Sequence, residues 1–196
     1  MKNRTFRIQE MILVFLVGFA IAMFFHSYLV PIDISGKSIN SEGSGVVDKE
    51  SPKHLRIPRI NIDALVEPKG LTVDGAMDVP QNPDNVGWLV SGIRPGDIGS
   101  AVMAGHFGWK NGIPAVFDNL NLLKKGDLIH VEDGRGVVIT FVVRESHTYE
   151  STDDASKVFV SGDGISHLNL ITCQGFWNKD LKSYSQRLVV FADKKE

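Results

Sequence analysis

The sequence predicts a mainly β domain carried behind one N-terminal transmembrane helix, and three observations support that expectation. From residue 54 onward the chain is a series of short apolar runs divided by turn signals, the pattern of an all-β barrel or sandwich. No long amphipathic helix appears after residue 30, and only residues 113–123 have mixed character, with room for a helical turn near Pro114-Ala-Val-Phe117. Residues 11–30, in contrast, contain no Asp, Glu, Lys or Arg.

That uncharged run, MILVFLVGFAIAMFFHSYLV, would be about 30 Å long at about 1.5 Å per helical residue, which matches the hydrocarbon thickness of a bilayer. Lys2, Arg4 and Arg7 precede it and Asp33 follows it. Basic residues favour the cytoplasmic side, so residues 1–10 are expected in the cytoplasm and the rest of the chain outside the plasma membrane. A cleaved signal peptide would have a shorter apolar core ending in small residues, whereas this run ends His-Ser-Tyr-Leu-Val-Pro. A retained single-pass anchor is the better reading, with His26 at its interfacial end. Residues 31–53 turn to Ser, Gly, Asp, Lys and Glu, too poor in large apolar groups to bury a core, and are expected to be a flexible linker.

Residues 54–196 then form the folded domain, a length that supports one hydrophobic core. Strands are expected near 54–60, 63–67, 76–79, 86–90, 100–106, 127–132, 137–149, 167–173 and 186–192. Asp74-Gly75, Asp133-Gly134 and Asp163-Gly164 mark tight turns between them. The net charge of −2 and the absence of any basic cluster interleaved with aromatics exclude nucleic acid as an expected partner. No C-x-x-C, H-E-x-x-H or Gly-rich phosphate loop occurs, so neither a zinc site nor nucleotide chemistry is expected. Asp153, Asp154 and Asp163 lie before the cysteine strand without the spacing of a calcium loop, and no metal or cofactor is expected there.

The chemistry of the domain centres on its one cysteine, Cys173, placed at the end of the run His167-Leu-Asn-Leu-Ile-Thr-Cys173. A single cysteine has no internal disulfide partner, so it either packs as a small apolar residue or acts through its sulfur. A thiol nucleophile needs a proton partner, and histidine suits that role near neutral pH. His106 ends the run Ala101-Val-Met-Ala-Gly-His106 and opens into a glycine-containing loop. His54, His130 and His147 fall within β runs as ordinary structural residues. His167 is about 20 Å from Cys173 along an extended strand, too far to serve it. Arg187, at the head of Gln186-Arg187-Leu-Val-Val-Phe-Ala192, stays protonated and so cannot be a base. It either orients a carbonyl and a developing oxyanion or reaches solvent at a strand edge.

Taken together, Ala104-Gly105-His106, Leu170-Ile171-Thr172-Cys173 and Gln186-Arg187-Leu188 resemble the His, T-L-x-T-C and Arg motifs of sortases, membrane-anchored cysteine transpeptidases of Gram-positive surfaces. Ile57-Pro-Arg-Ile60-Asn-Ile62, Val86-Gly87-Trp88, Pro114-Ala-Val-Phe117-Asp-Asn-Leu120 and Lys125-Gly126-Asp127 extend the likeness in the same order. The likeness covers about 140 residues, from His54 to the C-terminus, and the Gly-x-Pro-Ala-Val-Phe and Trp88 stretches are most similar to class F. Asn169 departs from it, standing where the family most often has threonine or serine.

The resemblance implies a closed eight-stranded β-barrel with the active site in a groove on its wall. It implies Cys173 as nucleophile, His106 as general acid/base, and Arg187 as the group that orients substrate and stabilises the oxyanion. Thr172 and the backbone N–H at the nucleophile would help bind that oxyanion. The implied substrates are surface proteins bearing an LPXTG-type sorting signal, cleaved at the Thr–Gly bond. The thioacyl enzyme so formed would be resolved by an amine, such as that of a peptidoglycan precursor. Two other readings remain open from sequence. An L,D-transpeptidase also joins a lone Cys to a His on a β scaffold, though its S-x-G-C signature is absent around Thr172-Cys173-Gln174-Gly175. A non-catalytic, membrane-tethered β module that binds a partner would leave Cys173 buried and inert.

Overall fold

The computed structural model describes residues 50–196, apart from 74, 109–112, 151 and 181–182. The expected membrane span at 11–30 and nearly all of the linker lie outside the described residues. Among the described residues, no helix is long and apolar enough to cross a membrane. The described residues belong to one compact unit.

Eight strands close into a barrel: β1 (Pro52–Ile57), β2 (Ile62–Lys69), β3 (Val86–Leu89), β4 (Gly99–Gly105), β5 (Leu128–Asp133), β6 (Val138–Glu150), β7 (Ser166–Asn178) and β8 (Ser183–Lys194). Around the barrel the order is β1-β2-β3-β4-β7-β8-β6-β5, with β5 pairing back onto β1. Two neighbouring pairs, β2/β3 and β4/β7, are parallel and the others antiparallel. Closure leaves no open sheet edge, which is how a small all-β domain avoids presenting unpaired backbone.

The period-two pattern of the runs sets which side chains fill the barrel. Leu55 and Ile57 of β1, Ile129 and Val131 of β5, Phe141 of β6, Leu168 and Leu170 of β7, and Val190 of β8 pack inside with Met103, Phe117 and Leu120. A smaller cluster lies on the outer wall, where Val158 meets Val189 and Phe191, flanked by Tyr149, Ala155 and Ile171. Val158 belongs to a four-residue helix, α1 (Ser156–Phe159), within the β6–β7 connection.

Four sequence expectations change. The run at 54–60 is not one strand: Pro58, lacking an N–H, starts a 3-10 turn over Pro58–Ile60, and Asn61 reverses the chain at φ 54°. The expected strand at 76–79 is only an isolated bridge between Leu71 and Met77. Because β2 and β3 are parallel, the chain between them must travel back, and the turn at Gly75 (φ 79°) folds that return on itself rather than adding it to the sheet. The helical turn expected in 113–123 is confined to a 3-10 turn at Leu120–Leu122. Finally, β7 and β8 overrun their expected limits as a two-stranded ribbon, with Trp177 opposite Tyr184 and Asn178 opposite Ser183. That ribbon leaves the core, and Phe176 and Trp177 are exposed on it, so its residues lack the apolar alternation that marks a barrel strand.

Candidate active site

Strand register brings the sequence candidates together. On β7 the even residues Leu168, Leu170 and Thr172 point into the barrel, so His167, Asn169, Ile171 and Cys173 lie on its outer face. Their partners on β8 are Asp193, Phe191, Val189 and Arg187, which places Cys173 directly opposite Arg187. On the other side, β4 runs parallel to β7, with Ser100 beside His167, Val102 beside Asn169 and Ala104 beside Ile171. β4 ends at Gly105, so His106 stands one residue past that strand, two beyond Ala104 as Cys173 is two beyond Ile171. The 67-residue spacing of the two in sequence equals the offset of the paired residues of β4 and β7, such as Ala104 and Ile171. On the far side of β8, Tyr149 of β6 pairs with Arg187. Cys173, Arg187 and Tyr149 thus form a row across three adjacent strands, and His106 follows the end of the fourth, β4.

Cys173, Arg187 and Tyr149 line a cavity of about 610 Å³ on the barrel wall, together with Ala104, Thr172, Val189, Met77 and Val79 and with Ala155, Val158 and Phe159 of the β6–β7 connection. Cys173 is not the last residue of its strand, as the sequence led one to expect. The ladder is instead interrupted just past it, where the register shifts between Gln174 and Trp177 and Gly175 adopts φ 84°. A Cβ at Gly175 would meet the Ser185 hydroxyl, so both the backbone conformation and the close approach require glycine there. The thiol is half-buried, and burial pushes its pKa up while the positive charge of Arg187 pulls it part of the way back. At neutral pH the sulfur therefore rests as a thiol that needs a proton acceptor at the moment of attack.

His106 is held from several directions. Its Nε2 lies 2.7 Å from the Pro80 carbonyl, which can only accept, so the neutral ring carries its hydrogen on Nε2 and is basic at Nδ1. The His106 carbonyl accepts from the Phe117 N–H at 3.1 Å. Asp118 clasps the following loop at both ends, accepting from the N–H of Gly108 at 2.7 Å and of Ala115 at 3.0 Å. Arg187 is steadied by its own strand: Nη1 donates to the carbonyls of Tyr184 (3.0 Å) and Gln186 (2.9 Å), and Nη2 to Ser183 Oγ (3.2 Å). It lies within β8 rather than at the strand's head, because β8 begins at Ser183.

Thr172 is buried, and its hydroxyl donates to the Gly105 carbonyl at 2.8 Å. That bond ties the end of β4 to β7 one residue before each of His106 and Cys173. Of the other histidines, His54 faces Asp63, His130 faces Thr140, and His147 stacks edge-on against Tyr149. His167 sits six residues from Cys173 on the same strand, buried between Asp163 and Asp193. Asp153, Asp154 and Asp163 accept from the N–H groups of Glu150, Ser156 and Ile165, capping turns of the loop.

Sequence reasoning missed Tyr149. Burial, reinforced by Glu145, Asp154 and Asp153, pushes its phenol pKa up, so the hydroxyl that it brings to the cavity stays neutral. Only the β6/β8 register reveals its place, since Tyr149 lies in no motif.

A family model described as Sortase domain matches residues 55–195. Among solved structures, sortase C-1 from Actinomyces oris is 26% identical with a TM-score of 0.57, the match covering 73% of each chain. Sortase C1 from Streptococcus agalactiae, in complex with MTSET, is 25% identical with a TM-score of 0.56, over 73% of this chain and 66% of that one. A lid mutant of sortase A from Corynebacterium diphtheriae, 22% identical with a TM-score of 0.58 over 73% of this chain and 69% of that one, shares the fold. No curated protein sequence matches the chain.

Proposed function

We propose that this chain, which belongs to the sortase family, is a membrane-anchored cysteine transpeptidase that cleaves an LPXTG-type sorting signal and joins the released acyl group to an amine. The pairing of Cys173 with Arg187 in the wall of one apolar cavity, with His106 just past the end of the neighbouring strand, carries this reading. Within the family, the Gly-x-Pro-Ala-Val-Phe and Trp88 stretches favour class F, while the solved structures named above belong to classes C and A.

The residues account for each step. The Cys173 thiol passes its proton to the His106 imidazole as the sulfur attacks the carbonyl carbon of the scissile peptide bond. Negative charge grows on the carbonyl oxygen, and the Arg187 guanidinium, with the backbone N–H at the nucleophile, meets it in this reading. The C–N bond then breaks, the imidazolium returns its proton to the leaving amine, and a thioester remains on Cys173. An acceptor amine attacks that thioester, the C–S bond breaks, and the new amide leaves with the thiol restored. A thiol, an imidazole and a fixed cation complete this cycle without electron transfer.

The run at 11–30 would hold the domain at the outer face of the plasma membrane. Sorting-signal proteins arrive at the same surface, so confinement of both raises their effective concentration. An amine of a peptidoglycan precursor is the proposed acceptor. The test is a fluorogenic LPXTG peptide incubated with the protein, with and without candidate amines, and mass analysis of the products. Cleavage that is lost in Cys173→Ala and His106→Ala, together with an amine-dependent adduct, is the expected result. Turnover of a peptidoglycan tetrapeptide alone would overturn the assignment.

A further inference from the structure

One wall of the cavity is not barrel. Residues 152–165 cross the outer face of β7 and β8 and present Asp153, Ala155, Val158 and Phe159 to the same space as Cys173. A connection of this length, with only the four residues of α1 as regular structure, has little of its own to hold it in place. Two outward residues of β7 are nevertheless polar and buried beneath it: Asn169 is 1% exposed and His167 4%. Burying such groups is unfavourable unless they are hydrogen-bonded; the Asn169 amide nitrogen and one His167 ring nitrogen find partners in the loop, while Asn169 Oδ1 is buried without one. Asn169 Nδ2 donates to the Val158 carbonyl at 2.6 Å. His167 Nε2 lies 3.0 Å from both carboxylate oxygens of Asp163, while its Nδ1 lies 2.7 Å from Asp193 Oδ1, which also accepts from Arg144 at 2.7 Å. Polar residues two apart on one strand thus fasten the loop at two points, 158 and 163.

We propose that Asn169 and His167 are positioning residues that hold residues 152–165 as a preformed wall of the substrate groove, so that the peptide binds without first ordering that wall. The inference rests on reading the cavity as the peptide groove. It gives a specific role to Asn169, the departure from the family's usual threonine or serine, because its amide reaches the Val158 carbonyl across the gap between strand and loop. Holding the wall in place reduces the ordering cost of binding. The anchors lie four and six residue pairs along the β7/β8 ladder from Cys173 and Arg187, so they act on binding rather than on bond-making.

Hydrogen exchange of the full chain in detergent, read by mass spectrometry, tests the anchors directly in Asn169→Ala and Asp163→Asn. Exchange in 152–165 is expected to speed up about three- to tenfold, the range of one lost hydrogen bond, with β1–β5 unchanged. KM for the sorting peptide is expected to rise by a similar factor at unchanged kcat, and iodoacetamide is expected to alkylate Cys173 at the wild-type rate. Asp163 is half exposed, so Asp163→Asn keeps the test decisive should Asn169→Ala unfold the barrel. Unchanged loop exchange in the folded variants overturns the proposal, as does a fall in kcat at constant KM. If the wild-type protein turns over no sorting peptide, the catalytic reading fails, and loop exchange still decides the anchoring.

Discussion

Thr172→Val replaces one hydroxyl by a methyl group at the point where the two reactive strands are joined. The Thr172 hydroxyl is buried and donates to the Gly105 carbonyl at 2.8 Å, so Val removes the donor while nearly preserving shape. A buried hydrogen bond contributes about 0.5–1.5 kcal/mol net, and a carbonyl left short of its partner costs about 1–3 kcal/mol. The added methyl recovers at most about 0.8 kcal/mol through burial. A net loss of about 1–2 kcal/mol is therefore expected in urea unfolding. The effect on turnover should be larger than that figure implies, because the bond lies one residue from His106 on one strand and one residue from Cys173 on the other. A displacement of about 1 Å between reacting groups can reduce rate about a hundredfold, so kcat is expected to fall ten- to a hundredfold in a sorting-peptide assay. Thr172→Ser keeps the donor and should retain most of the activity. If Val matches the wild-type protein in both stability and kcat, or if Ser loses as much as Val, the tie is not what aligns the site.

Three further outcomes follow from the same geometry. Because burial raises the Cys173 pKa and Arg187 lowers it, alkylation by iodoacetamide should reach half its maximal rate above about pH 8.5, the value of a free cysteine. Arg187→Ala should move that midpoint higher still; a midpoint lower than in the wild-type protein would contradict the electrostatic account. Gly105→Ala would place a Cβ 2.6 Å from the ring of Phe117, which is fully buried, so a loss of about 1–3 kcal/mol from overpacking is expected in thermal or urea unfolding, with reduced turnover as the end of β4 shifts. Asp163, through His167, Asp154, through the Ser156 N–H, and Glu67, through Asn85, all have lowered pKa values in the fold. Their stabilisation is fully present above the ordinary carboxylate values near pH 4 and is lost as pH falls through the lowered ones. Unfolding midpoints should accordingly drop between about pH 4 and pH 2, and less steeply in Asp163→Asn.

Much of this molecule could be read from residue order. Alternating apolar residues place the barrel strands, because a strand with one buried face must repeat every two residues. Cys173, His106 and Arg187 are visible because few side chains can supply a nucleophile, a proton carrier and a permanent cation. Segments with no such pattern were misread or overlooked. The 76–79 stretch has strand composition but serves as the return between parallel strands, a consequence of pairing that local sequence does not encode. The ribbon beyond Cys173 lacks alternation because both its faces meet solvent or loop, and α1 is too short to show a helical period.

Sequence by itself determined which residues are apolar, where the backbone must turn, and that one thiol, one suitably placed histidine and one arginine exist. Tertiary structure decided how they are arranged. The 67-residue separation of His106 and Cys173 has no meaning along an isolated chain and is the offset at which β4 and β7 pair, so that the two strands leading to these residues run side by side. The β7/β8 pairing sets Arg187 opposite Cys173, the β6/β8 pairing adds Tyr149 behind it, and the fold turns Thr172, Asn169 and His167 into ties between strand, strand and loop. Contacts between residues far apart in sequence follow from register, and register is set by how the whole barrel closes over its core.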